Sequence, residues 1–291
     1  MMTFFEDLAV NPLLLCGLVA GLAASVACGI VGPYVVTRRI VFLGGAISHT
    51  AVGGLGLAVW LSATWPAMFW WFTPMFGLTL AALAAAVLLA VIRYYVHERL
   101  DTLIGALWAL GMSLGILFLR FTPGYQTELS TYLFGNIACV GVPDLWRCVA
   151  LDVVILVAAA LFHKRLLAAT LDPEYLEMQG VSVLAVEMLL LGMVAFTVIL
   201  LTQIVGMILV IALLSLPAAT VAPYVRRMGS FFLATTLLCV ALTTLPRIAV
   251  YGTPVNPESA IVIAATAIYL LSTTLRAVGK VRRQRRSVAS R

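Results

Sequence analysis

Apolar runs of about 20 residues recur from Pro12 almost to the end of the chain. Each is long enough to cross a hydrocarbon layer about 30 Å thick. A chain built this way must satisfy its backbone within helices, because lipid offers no hydrogen-bond partner. The runs predict about nine transmembrane helices, near residues 12–36, 40–62, 73–95, 100–120, 143–164, 183–203, 205–224, 230–250 and 258–279. From Val183 to Val225 the chain stays apolar for too long to be one helix, so a tight turn is expected around Gln203 to Gly206. The fold class is an all-α polytopic membrane protein. Its composition agrees: 63% of the 291 residues are hydrophobic, only 10% are charged, and the mean hydropathy is +1.10.

The net charge of +6 invites a nucleic-acid reading, but the placement of the basic residues argues for a membrane side instead. If the spans alternate in direction, Arg38/Arg39, Arg93/Arg99, Lys164/Arg165, Arg226/Arg227 and the tail from Arg276 to Arg291 fall on one face. Only Arg120, Arg147 and Arg247 fall opposite. The positive-inside rule then expects the N-terminus outside and the C-terminus in the cytoplasm. The basic tail, 280–291, directly follows a span and reads as a retention and lipid-contact segment. The start, with Glu6, Asp7 and no basic residue, does not look like a signal peptide, so the first span is expected to stay in place.

One membrane domain, 1–291, is expected, since the longest connection runs only from about Phe121 to Val142. Within it, Tyr132 to Asn136 suits an interfacial or re-entrant helix. The five cysteines include no C-x-x-C pair and read as small packing residues. A Cys139–Cys148 disulfide is conceivable on the outer side, but neither spacing nor count demands it. Gly17-x-x-x-Gly21 marks a small packing face, common in membrane helices.

Two stretches stand out for function. The connection after the fifth span reads Leu171-Asp-Pro-Glu-Tyr-Leu-Glu-Met-Gln-Gly180. Asp172 is a good N-cap, Pro173 suits the first helical position, and Glu174 favours the positive helix end. Leu171 could staple to Leu176, and Gly180 supplies a left-handed stop. A short capped helix outside the bilayer follows, either an ordinary turn or an element on which a partner docks.

The second span carries Phe42-Leu-Gly-Gly-Ala-Ile-Ser-His49, followed by Gly53, Gly54 and Gly56. His49 lies about ten residues beyond Arg39, or about 15 Å into the membrane, where an ionisable residue by default faces protein or water. Gly45 and Gly53 flank it on one helical face, either as a packing seam or as room for a solute beside the imidazole. Imidazole suits zinc, copper, nickel and iron. Asp152, about nine residues past Pro143, is the other buried ionisable candidate; Glu187 is close enough to a span end to reach the interface. A hydrolase is disfavoured: Ser48 and His49 diverge by about 100° on a helix, and no G-x-S-x-G or H-E-x-x-H is present.

These stretches resemble the permease subunits of bacterial ABC importers for zinc, manganese and iron. The likeness rests on Ala20 to Arg39 running into Phe42 to His49, on Leu171 to Gly180, and on Val205 to Thr220, in order over nearly the whole chain. It implies a cobalamin-importer-like permease fold in the bacterial inner membrane, with a second permease copy, a cytoplasmic ABC ATPase and an extracytoplasmic metal-binding protein as partners. The chain has no phosphate-binding G-x-x-x-x-G-K-[ST] loop, so ATP hydrolysis is expected on the separate ATPase. This subunit is not expected to be an enzyme or to bind a cofactor; the divalent metal is its cargo. The resemblance makes Asp172, Pro173, Glu174, Tyr175 and Gly180 the ATPase-docking element. It also puts His49 on the metal path, with Asp152 as a companion candidate and Gly45, Ser48 and Gly53 lining it. The chain departs from the family's pattern at Gly45, where an acid is common, and at Gly53, where a proline often follows. Alternatives are a permease for metal chelates or cobalamin-like ligands, and a secondary transporter, for which no inverted repeat is legible.

Overall fold

The computed structural model describes residues 4–95, 100–123, 141–204 and 206–289. These form helices α1 (Phe4–Val10), α2 (Pro12–Thr37), α3 (Val41–Thr64), α4 (Pro66–Phe69), α5 (Pro74–Tyr95), α6 (Leu100–Phe121), α7 (Val142–Leu171), α8 (Pro173–Met178), α9 (Val183–Ile204), α10 (Met207–Val221), α11 (Met228–Ala249) and α12 (Pro257–Ala289). Among the described residues, nine helices are long and apolar enough to cross a membrane, and they coincide with the nine predicted spans. Local chemistry sets several boundaries. The Asn11 side chain accepts from the Leu13 N–H at 3.0 Å and Pro12 opens α2. Gly206, at φ +79°, breaks the long apolar run between α9 and α10 where the turn is expected.

Two helices outrun the prediction. α7 continues through Lys164 and Arg165 to Leu171, and α12 continues to Ala289. Charges end the stretch that hydrocarbon can hold, but they do not end a helix. Tyr132 to Asn136 and Cys139 lie outside the described residues; Cys148 is a buried free thiol.

α3 is packed between α5 and α6, and its five glycines explain how. A Cβ on Gly53 would stand 2.9 Å from the Gly111 carbonyl oxygen of α6, and one on Gly56 would stand 2.5 Å from that of Gly115. On the opposite side Gly54 meets Gly77 and Ala81 of α5. Glycine inside a helix costs about 1 kcal/mol relative to alanine, which close backbone approach on two sides offsets through dispersion contacts. α2 packs on α7, α10 and α11, and α9 links α5 to α7. Much of α6, α7, α11 and α12 remains apolar and outward-facing, as lipid or another subunit requires.

The helix ends sort by side. Glu187 near the start of α9 bridges Arg38 at the end of α2 and Arg93 at the end of α5. At the other side, Arg247 of α11 donates to the Leu14 carbonyl of α2 at 3.4 Å, and Tyr251 donates to Asp7. The ends of α2 and α5 and the start of α9 therefore share one side, as alternating spans demand.

Candidate functional site

In the third turn of α3, the imidazole of His49 stacks on the Trp108 indole of α6, with ring centroids 4.6 Å apart and planes 26° from parallel. Its Nδ1 and the Ser48 hydroxyl are buried, and neither has a hydrogen-bond partner in the structure. Gly45 is what admits the indole: a Cβ there would lie 2.5 Å from the Trp108 ring. The space that Gly45 and Gly53 leave is thus taken by α6, as a side chain at the first and as backbone at the second. Packing seam and polar group coexist on this face, since the glycines close it and the ring nitrogen is left over. A buried polar atom without a partner is costly enough to ask for a function.

Asp152 lies elsewhere. It is 7% exposed on α7, and its Oδ1 also lacks a partner. The buried thiols of Cys28 on α2 and Cys148 on α7 are its electrostatic neighbours. α7 packs on α2 and α9 whereas His49 faces α6, so the two candidates are not brought together within one subunit. Among the described residues, no three His, Cys, Asp or Glu side chains are grouped to hold a metal ion.

The docking candidate has the expected local form. Asp172 Oδ1 accepts from the Tyr175 N–H at 3.0 Å, Pro173 opens α8, and Gly180 closes the turn at φ +73°. Tyr175 is further held by Gln179, whose Nε2 donates to the phenol oxygen at 2.7 Å. The Leu171–Leu176 staple does not form. Leu171 is 72% exposed, while Leu176, 1% exposed, turns inward and joins the main core. One buried leucine thus holds down a helix whose other residues, Glu174 and Tyr175 among them, face outward.

Beside α8 lies a group that the pattern of the sequence does not reveal. One carboxylate oxygen of Glu187 pairs with Arg38, and the other stands 3.2 Å from Arg93 Nη1, an ion-pair distance but off the hydrogen-bond line. A cavity of about 660 Å³ adjoins them, bounded also by Tyr94, Tyr95, Pro173 and Glu177. The available signal was a lone acid near a span start on the same side as two arginines.

The model of the ABC 3 transport family matches residues 11–276. This chain belongs to the ABC 3 transport family. Among similar proteins, the "Probable metal transport system membrane protein" of Chlamydia muridarum is 33% identical over 91% of this chain and 89% of its own length. The manganese import system permease protein ScaB of Streptococcus gordonii is 27% identical over 88% of each chain. The PsaBC structure from Streptococcus pneumoniae, solved with a Fab, superposes with a TM-score of 0.80 at 26% identity, covering 92% of this chain and 94% of that one. An inward-facing structure of metal-chelate ABC transporter type shares the fold, with a TM-score of 0.69 at 14% identity over 94% and 90% of the two chains. The ABC 3 chain is therefore a multi-pass membrane protein, with the helical spans anticipated from its apolar runs and the permease fold that the family resemblance implied.

Proposed function

We propose that this chain is the permease subunit of an ATP-driven importer for divalent transition-metal ions, with manganese the first candidate. Family membership carries the class. The observation that carries the chemistry is the half-buried imidazole of His49, within the second span and with its Nδ1 left unsatisfied. Manganese comes from the relatives; the donor itself, an imidazole with Gly45 where an acid is common, also accommodates zinc and iron. A divalent ion needs several ligands, so the rest of the coordination shell comes from a second permease copy facing this one, with Ser48 beside the path. Asp152 serves, in this reading, as a second polar station within the subunit. A chelate or cobalamin-like cargo would need a wide cavity, and the indole seated against Gly45 argues against one.

ATP hydrolysis resides on a cytoplasmic ATPase that docks on α8 through Asp172 to Gly180, and an extracytoplasmic protein delivers the metal. The basic ends of α2, α5 and α7 then face the cytoplasm, with the N-terminus outside. Uptake by the permease reconstituted with its ATPase tests the class. ATP-dependent accumulation of radioactive manganese, competed by zinc or iron, is expected; accumulation of a metal chelate and of no free ion would overturn it. Charge reversal at exposed Glu174 should lower the ATPase recovered with the permease several-fold, while a tag fused to Met1 is labelled from outside intact cells. Full ATPase recovery would remove α8 as the docking element, and an inaccessible tag would reverse the orientation.

A further inference from the structure

We propose that Glu187 is the positioning residue that couples movement of α8 to the transport helices, by exchanging with Glu177 as the partner of Arg93. This rests on the reading of the chain as an ATP-driven permease.

The Arg38–Glu187–Arg93 group joins α2, α5 and α9 at the same end of the bundle as α8. The three side chains are 8%, 23% and 4% exposed, respectively for Arg38, Arg93 and Glu187. Burying charges is expensive, and apolar side chains of similar volume hold such positions at least as well. One carboxylate shared by two guanidinium groups also leaves an excess positive charge. Stability alone therefore gives a weak reason for the group. Its two halves are unequal: Arg38 is hydrogen-bonded to Glu187, whereas Arg93 is the more exposed and is held off the hydrogen-bond line.

Only residues 179–182 separate α8 from α9, and this short connection is hydrogen-bonded at both ends. The Gly180 N–H donates to the Glu177 carbonyl at 2.9 Å, Val181 N–H donates to the Leu176 carbonyl at 3.3 Å, and the Ser182 hydroxyl accepts from the Ala185 N–H at 3.3 Å. A push on α8 is thereby delivered to the first turns of α9, where Glu187 sits. On the far side, Arg38 ends α2 one short turn before α3, and Arg39 in that turn is held at φ +56°, a left-handed conformation unusual for a non-glycine residue. α3 carries His49. The connection thus runs from α8 through Glu187 and Arg38 to the helix that bears the candidate path residue.

Coupling also requires an element with two discrete arrangements. The cavity gives room for one. Arg38, Arg93, Glu187 and Glu177 of α8 are all among the residues that line it. A volume of about 660 Å³ lets α8 approach α5 without displacing packed side chains. In one arrangement Arg93 pairs with Glu187; in the other, with α8 moved inward, it pairs with Glu177 and α9 is freed from α5.

The test is the metal transported per ATP hydrolysed by the reconstituted permease–ATPase complex. Glu187→Gln should lower that ratio at least fivefold while the ATPase still co-purifies and hydrolyses ATP; Glu177→Gln, which lies in the docking element itself, should lower the same ratio once it is normalised to the ATPase that stays bound. A triple variant, Arg38→Met with Arg93→Met and Glu187→Leu, keeps the volume and removes the charges; it should insert and assemble normally and be uncoupled. Wild-type coupling in the triple variant would reduce the group to packing and overturn the proposal, as would full coupling in Glu177→Gln. The wild-type complex separates the two readings. If it moves no metal, the permease assignment itself has failed; if it moves metal and the variants match it, only the coupling role has.

Discussion

Replacing Gly111 with alanine should part α3 from α6 and produce one of the largest stability losses available from a single methyl group in this chain. The added Cβ would stand 2.5 Å from Thr50 Cα, 2.7 Å from Thr50 N and 2.8 Å from the His49 carbonyl oxygen. All three are backbone atoms of a helix that is itself wedged against α5, so no flexible side chain can swing away. Overpacking a well-filled interior costs about 1–3 kcal/mol, and a clash against backbone on a helix fixed from both sides belongs at the upper end. Gly105→Ala, two turns earlier on α6, is the matched control. Nothing lies within 4 Å of a Cβ there, so the helix-propensity gain of up to about 1 kcal/mol should dominate. Thermal unfolding in detergent should show a clearly lower midpoint for Gly111→Ala and an equal or higher one for Gly105→Ala. Equal midpoints for Gly111→Ala and the unaltered chain would mean that the seam is not tight.

What could be read in advance divides along physical lines. The spans were legible because hydrocarbon imposes a length and a composition on each helix separately. The caps of α8 were legible because Asp172, Pro173 and Gly180 act within a few residues of one another. The glycine face of α3 was visible as a pattern, but its occupant was not. That Trp108 fills the notch at Gly45, and that Gly111 and Gly115 meet Gly53 and Gly56, depends on which helix comes alongside. The Leu171–Leu176 staple failed for a similar reason: Leu176 found a better-buried site in the core than the exposed Leu171 could offer. Glu187 is the clearest case. Its partner Arg38 is 149 positions away in the chain, and each arginine taken singly marks a membrane side, not a buried ion group.

Removing the imidazole of His49 should abolish most metal uptake without harming the fold, and the stacked geometry shows how to separate the two effects. His49→Ala deletes a ring whose buried Nδ1 has no hydrogen-bond partner, which favours insertion, and also deletes the contact with Trp108, worth about 0.5–1.5 kcal/mol for an aromatic pair. These terms oppose each other, so stability should change little. His49→Phe sharpens the comparison, because it keeps a ring on the indole and loses only the nitrogens. If His49 is a ligand on the path, both variants should lose uptake by about 10- to 100-fold or more, the scale on which even outer-shell changes weaken metal sites. If stacking is its whole role, His49→Phe should transport normally and His49→Ala should be the weaker folder. Manganese uptake by the His49→Phe complex, measured beside its thermal midpoint, therefore decides between them, and uptake equal to that of the unaltered complex would take His49 off the path. Because Gly45 supplies no carboxylate to share the load, this chain should depend on that one nitrogen more heavily than a family member with an acid at the same place.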